Sequence, residues 1–139
     1  MKKEKRFNIR VYGLVINKGR ILLSHENFRG KEFTKFPGGG LEWGEGISDC
    51  LVREFNEEMG IKVEPGFLFH VSETFHQSQF FSEDQVIGIY FLVNSLDFDK
   101  VVTGKRKSDN PDKGEVFEWF DWTDFNPDIL TFATDREAA

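Results

Sequence analysis

The sequence predicts an α/β fold in which a mixed sheet lies between helices. Three observations carry that prediction. Segments with strand character outnumber those with helical character. One of them, Val86–Val93 (VIGIYFLV), is apolar on both faces and therefore calls for cover on both sides. Two segments, about Ile47–Met59 and Asp128–Glu137, carry the helix signals to provide it.

From Phe7 to Ile16, Phe7, Ile9, Val11, Gly13 and Val15 alternate with Asn8, Arg10, Tyr12, Leu14 and Ile16, which is strand periodicity. Asn17-Lys18-Gly19 is a turn, and Arg20–Ser24 returns as a second strand, giving a hairpin. His25–Lys35 mixes charged residues with Phe28 and Phe33 and reads as a loop ending in a short extended piece before Pro37. Glycines 38, 39 and 40 then permit close approach to the main chain. Gly46 as N-cap and Gly60 just past the end bound a helix from Ile47 to Met59. Strand patterns follow at Ile61–Val63 and Phe67–Phe75, and Gln77–Gln85 is a polar loop around Phe80-Phe81. Asp97–Gly114 is a long loop with the densest positive charge in the chain, and Val116–Trp122 is the last strand. Asn126-Pro127 starts the final helix.

A length of 139 residues corresponds to one domain, spanning 1–139. Its 16 phenylalanines are a surplus, expected first of all in a core. A net charge of -6 gives no bulk attraction for duplex nucleic acid, although a small phosphorylated ligand neutralised by a metal is compatible with it. The single cysteine, Cys50, cannot form an internal disulfide, which fits a reducing compartment. There is no signal-peptide pattern and no long apolar span, so a cytoplasmic location is expected, with no membrane partner. A homodimer is left open.

The chemistry concentrates on the helix. Glu54, Glu57 and Glu58 stand at i, i+3 and i+4, so their carboxylates share one face within a turn. Such crowding favours a cation, and oxygen donors without His or Cys suit Mg²⁺ or Mn²⁺ rather than zinc. Leu51, Val52, Phe55 and Met59 form an apolar stripe that packs the same helix against the core. Arg53 falls on a different side of the helix from the acidic face.

The spacing Gly39, five residues, Glu45, seven residues, Arg53-Glu54-Phe55, one residue, Glu57-Glu58, one residue, Gly60-Ile61 resembles the whole signature of the Nudix hydrolases. Phe55 is its one departure, since the pattern usually has an aliphatic residue there. The resemblance implies a Nudix-like α/β/α sandwich with a mixed β-sheet between helices. It also implies metal-dependent hydrolysis of the diphosphate linkage in a nucleoside diphosphate joined to another group, with water attacking phosphorus. By the same resemblance the Gly38 carbonyl, Glu54, Glu57 and Glu58 hold metal, Glu57 ranking first for a bridging role. Glu45 lies near the cluster and Arg53 orients its glutamates. A further acid from a late loop or strand is expected, with Glu115 chosen and Glu118 the alternative. For the substrate, Phe28, Phe33 or Phe81 is expected to stack on a base, and Lys105 and Arg106 to meet phosphates. Gln77 stands where ADP-ribose hydrolases often have proline, Phe75, Phe80 and Phe81 where dinucleoside polyphosphate hydrolases often have tyrosine, and Ser24-His25-Glu26 does not reproduce the coenzyme A pattern; a nucleoside triphosphate or a nucleoside diphosphate sugar is left as substrate. Other readings are a non-catalytic nucleotide-sensing Nudix domain and an isoprenoid diphosphate isomerase on the same fold.

Overall fold

The structure is a computed structural model that describes residues 4–28, 30–103 and 115–139. Its strands are β1 (Arg6–Leu14), β2 (Ile16–Asn17), β3 (Arg20–Phe28), β4 (Lys31–Lys35), β5 (Gly38–Gly40), β6 (Glu64–Val71), β7 (Asp84–Asn94) and β8 (Glu115–Asp121). The helices are α1 (Ile47–Met59) and α2 (Ala133–Ala138). A mixed sheet runs β5-β1-β7-β6, with β1 and β7 parallel and the other pairs antiparallel. A second, antiparallel sheet joins β2, β3 and β4, with β8 on the other side of β3.

Alternation along the strands explains why two layers of helix are needed. Val11 and Val15 of the β1 segment, with Leu22 of β3, join Leu51 and Phe55 of α1 in one core. Tyr12 and Leu14, with Ile21 and Leu23, join Tyr90, Leu130 and Ala138 in another. Successive residues of a strand face opposite ways, so β1 and β3 each supply both cores. In β7, Val93 faces the first core and Tyr90 the second, as its apolar sequence predicts. Among the described residues, no helix is long and apolar enough to cross a membrane.

Phe55, the departure from the usual motif, is fully buried. A β-carbon on Gly13 would lie 2.6 Å from both Phe55 Cζ and Val93 Cγ2, so the ring fills room that a glycine in β1 leaves open.

Several boundaries differ from the sequence reading. The His25–Lys35 loop is instead the end of β3 and all of β4, paired from Ser24–Lys35 to Phe28–Lys31. Its alternation is disguised because Ser24, His25, Thr34 and Lys35 are buried polar residues. The β1–β3 hairpin is reduced to the two pairs that β2 makes, because β1 pairs with β5 and β7. Ile61–Val63 is unpaired, and the next strand covers only Glu64–Val71. The final helix is a 3-10 turn at Pro127–Ile129, where Asn126 does accept from the Asp128 amide, followed by the short α2. Leu130, sunk into the second core, separates them. The phenylalanine surplus does not all enter the core: Phe67 of edge strand β6 is 82% exposed, and Phe7, Phe69 and Phe75 are also exposed.

One carboxylate ties α2 to the rest of the molecule. Glu137 accepts from the Glu73 amide (3.0 Å), His70 Nε2 (3.0 Å), His76 Nε2 (2.7 Å) and Thr74 Oγ1 (2.8 Å). The Glu73 amide, then His76 and Thr74, hold its pKa down at about 2. A depressed carboxylate contributes stability above its unfolded value near 4.5, and that contribution drains away as pH falls toward 2. Thermal unfolding followed from neutral pH into acid should therefore show a shallower acid limb for Glu137→Gln than for the native chain.

Candidate active site

Strand β5 is the entry to the site. It pairs antiparallel with β1, Gly38 opposite Tyr12 and Gly40 opposite Arg10. Gly38 has φ 145°, and a β-carbon there would meet Val11 O at 2.1 Å. A β-carbon on Gly39 would lie 2.5 Å from the Glu54 carboxylate. Side chains at these positions would thus push the strand off β1 and off α1.

Above this strand Arg53 gathers the outer carboxylates. Its Nε and Nη2 donate to the two oxygens of Glu45 at 2.9 and 2.7 Å, a bidentate pair. Nη1 donates to Glu54 at 3.0 Å and Glu57 at 3.2 Å, and Nη2 also reaches the Gly40 carbonyl at 3.0 Å. The expectation that Arg53 stands apart from the acidic face is corrected: its α-carbon is displaced around the helix, but a long side chain reaches back across it. Hydrogen bonding to Arg53 holds Glu45 down at about 2, and Glu45 in turn raises Arg53 further. Cys50, buried beneath them, has its thiol pushed up to about 12 by burial and by Glu45, so it remains a protonated packing group.

A second set of carboxylates lies deeper. Oxygens of Glu26 (β3), Glu58 (α1) and Glu115 (β8) lie within 4.8 Å of one another. Glu26 and Glu115 are directly opposite in the β3–β8 ladder, an arrangement that is unfavourable for like charges without a cation. Ser24 Oγ donates to Glu115. Glu58 Oε2 is buried without a hydrogen-bond partner. Burial pushes Glu58 up to about 9; burial and a hydrogen bond with Glu26 push Glu115 to about 7.

The cation already among them is Lys35, only 2% exposed. Its Nζ lies 3.3 Å from Glu26, 3.7 Å from Glu115, 3.3 Å from the Gly38 carbonyl and 3.4 Å from the Phe36 carbonyl. Burial, the largest single influence on each, would raise Glu26 and lower Lys35, but the neighbours together outweigh it: Lys35, a hydrogen bond with Glu115 and Arg10 bring Glu26 down, while Glu26, Glu58 and Glu115 bring Lys35 up.

Beside this cluster is a cavity of about 250 Å³ whose wall includes Glu26 and Lys35. Its apolar side is Phe28, Phe33, Phe80, Phe81 and Phe132, with Phe28 and Phe80 ring centres 4.8 Å apart and Phe33 and Phe132 5.1 Å apart. All three aromatics expected to meet a base therefore line one cavity. Phe33 is itself largely buried, at 7% exposure.

The structure thus brings Glu45, Glu54 and Glu57 together on Arg53, and Glu58 and Glu115 together with Glu26. Glu57 stands at the outer rim, its side chain 58% exposed. Glu118 is elsewhere, bonded at 2.9 Å to buried His25. Lys105 and Arg106 lie outside the described residues. Glu26, Lys35, Phe80 and Phe132 were not anticipated; a strand extended through Phe28 would have placed Glu26 on the same face as Leu22 and exposed the signal.

A mixed sheet covered on both faces, with oxygen donors gathered where a glycine strand meets an acidic helix, defines a domain suited to hold a hard cation next to an aromatic cavity. The chain belongs to the Nudix family, whose NUDIX domain model matches residues 5–138. Among solved structures, it is similar to a MutT NUDIX hydrolase from Burkholderia pseudomallei, at 24% identity and TM-score 0.68, covering 97% of this chain and 99% of that one. It is also similar to a MutT protein from Methanosarcina mazei Go1, at 27% identity and TM-score 0.61, covering 86% of this chain and 79% of that one. An ADP-ribose pyrophosphatase from Streptococcus suis 89-1591 shares the fold at 19% identity and TM-score 0.58, covering 94% of this chain and 85% of that one.

Proposed function

We propose that this Nudix hydrolase cleaves the diphosphate linkage of a nucleoside triphosphate or a nucleoside diphosphate sugar, using Mg²⁺ or Mn²⁺. The observation that carries this reading is the shared wall: Glu26 and Lys35 belong both to the carboxylate cluster and to the aromatic cavity. A ligand with an aromatic base at one end and a diphosphate at the other spans such a pair of compartments.

The donor set fits a hard divalent ion, because its three clustered ligands are carboxylates and one of their oxygens, Glu58 Oε2, is buried without a partner. Glu58, Glu115 and Glu26 would hold the ion, with Glu54, Glu57 and the Gly38 carbonyl around them. When bound, the ion neutralises the diphosphate oxygens and acidifies a water molecule for attack on phosphorus. The chain's own residues set the geometry for that step. Arg53 fixes the outer carboxylates through hydrogen bonds to Glu45, Glu54 and Glu57, so little reorganisation remains when substrate arrives. In this reading Glu115, held by the hydrogen bond from Ser24 Oγ, orients the attacking water. The phenylalanine cavity accepts the base, where stacking on an aromatic contributes about 1–3 kcal/mol.

The test is a panel of nucleoside triphosphates and nucleoside diphosphate sugars assayed for phosphate-bearing products with Mg²⁺, with Mn²⁺ and with chelator. Turnover of at least one class with either ion, abolished by chelator, is the expected result. Binding without turnover across the panel would instead make the chain a nucleotide sensor.

A further inference from the structure

We infer that Lys35 is a resident cation of the acidic site, which limits the substrate-free protein to one tightly held divalent ion and weakens its hold on that ion. The inference rests on the metal-dependent reading above and adds to it a residue of this chain that no metal-ligand pattern supplies.

Position is the first argument. Lys35 sits opposite Ser24 in the β3–β4 ladder, and Glu26 sits opposite Glu115 in the β3–β8 ladder, so adjacent strands converge these groups on one face. The lysine is 2% exposed, and its ammonium reaches two of the three clustered carboxylates, Glu26 at 3.3 Å and Glu115 at 3.7 Å. It also donates to the Gly38 carbonyl at 3.3 Å, an oxygen otherwise available to a metal. A buried ammonium with these partners is held in place rather than sweeping through solvent, and it is a compact point charge well matched to a site for a small cation.

The division of positive charge is the second argument. Arg53 engages Glu45, Glu54 and Glu57, while Lys35 engages Glu26 and Glu115. Among the clustered carboxylates, Glu58 alone has a buried oxygen with no partner. One divalent ion centred on that Glu58 oxygen, with Glu26 and Glu115 shared between it and the ammonium, completes the pairing. A second ion on Glu26 and Glu115 has to share their oxygens with the ammonium, and like charges a few ångströms apart at a half-buried site repel strongly. The same repulsion acts on the first ion, which makes the lysine a brake on metal affinity as well as on stoichiometry.

Calorimetric titration of the substrate-free protein with Mn²⁺ tests the inference without reference to activity. The wild-type chain should take one tight ion, and Lys35→Gln, which keeps amide donors near the Phe36 and Gly38 carbonyls but removes the charge, should bind Mn²⁺ at least about tenfold tighter and accept a second ion. A lysine that merely props the strands would give the opposite: equal or weaker Mn²⁺ binding in Lys35→Gln overturns the inference. Should that variant fail to fold, the wild-type stoichiometry decides, since two ions of comparable affinity would also overturn it. A wild-type chain that binds no Mn²⁺ removes the metal-dependent reading itself, an outcome distinct from wild-type binding that Lys35→Gln leaves unimproved.

Discussion

Glu58→Gln should abolish hydrolysis, lowering kcat by about 10³-fold, the upper scale for removing one preorganised electrostatic contact in an active site, while making the metal-free protein more stable. The two effects have one cause. Glu58 projects a buried, unpartnered oxygen toward Glu26 and Glu115, which is costly for an isolated chain and useful for a metal-loaded one. Burial, and then the nearby Glu115 and Glu54 carboxyls, raise its folded pKa to about 9 against a counteracting Lys35. A carboxyl whose pKa rises on folding destabilises the fold progressively as pH climbs from its ordinary 4.5 to the folded value. Thermal melts in chelator should therefore show Glu58→Gln above wild type, with the gap widening from mildly acidic to mildly alkaline pH. In Mg²⁺ the order should reverse, because only the native chain gains from binding the ion. Equal turnover in the variant would remove Glu58 from the site.

Glu115→Gln should lower kcat by about 10²-fold, the scale of a positioned acid or base, with KM little changed, whereas Glu118→Gln should leave kcat near the wild-type value. Both residues lie on β8, but their surroundings differ in kind. Glu115 opens the strand facing Glu26 and is held by Ser24 and by Lys35, itself part of the cavity wall. Glu118 satisfies the buried His25, whose other nitrogen is paired with Thr34 at 2.8 Å. Its carboxylate is occupied with structure. Steady-state kinetics on both variants separates the roles, because a group that acts on the attacking water changes turnover more than ground-state binding. A collapse of kcat in Glu118→Gln with Glu115→Gln unaffected would assign the water-positioning role to Glu118.

The parts of this molecule that were legible in the sequence are those in which one residue type has one physical meaning. Gly46 and Gly60 bound α1 at Ile47–Met59, and Gly60 indeed adopts a left-handed conformation with φ 67°. Spacing alone put Glu54, Glu57 and Glu58 on one turn, and the apolar run of β7 announced two covering layers. Legibility failed where polar residues are buried. His25, Glu26, Thr34 and Lys35 look like loop letters, yet they build paired strands, and the face that carries Glu26 and Lys35 is the site. A pattern rule that equates inside with apolar cannot see an active-site strand, because the functional groups occupy the positions where it expects hydrophobes. Helical spacing sets the α-carbon of Arg53 to one side of the acidic face, and only the reach of its side chain, which spacing does not report, carries it back to Glu54 and Glu57.

Phe55 carries a last consequence. The ring occupies a position where this motif ordinarily holds an aliphatic side chain, and it fits because Gly13 presents no β-carbon to it and Val93 closes the remaining space. Neither residue touches the chemistry, and they are distant in the chain, but they share one volume. Shrinking the ring alone opens a void, and enlarging Gly13 alone meets two side chains at 2.6 Å, so either step by itself is uphill. The three positions therefore form a single packing unit: an aliphatic side chain at 55 fills the space only if Gly13 or Val93 changes with it. The departure from the motif is thus held by packing alone, and a coupled change at these positions leaves the carboxylates of the same helix unaltered.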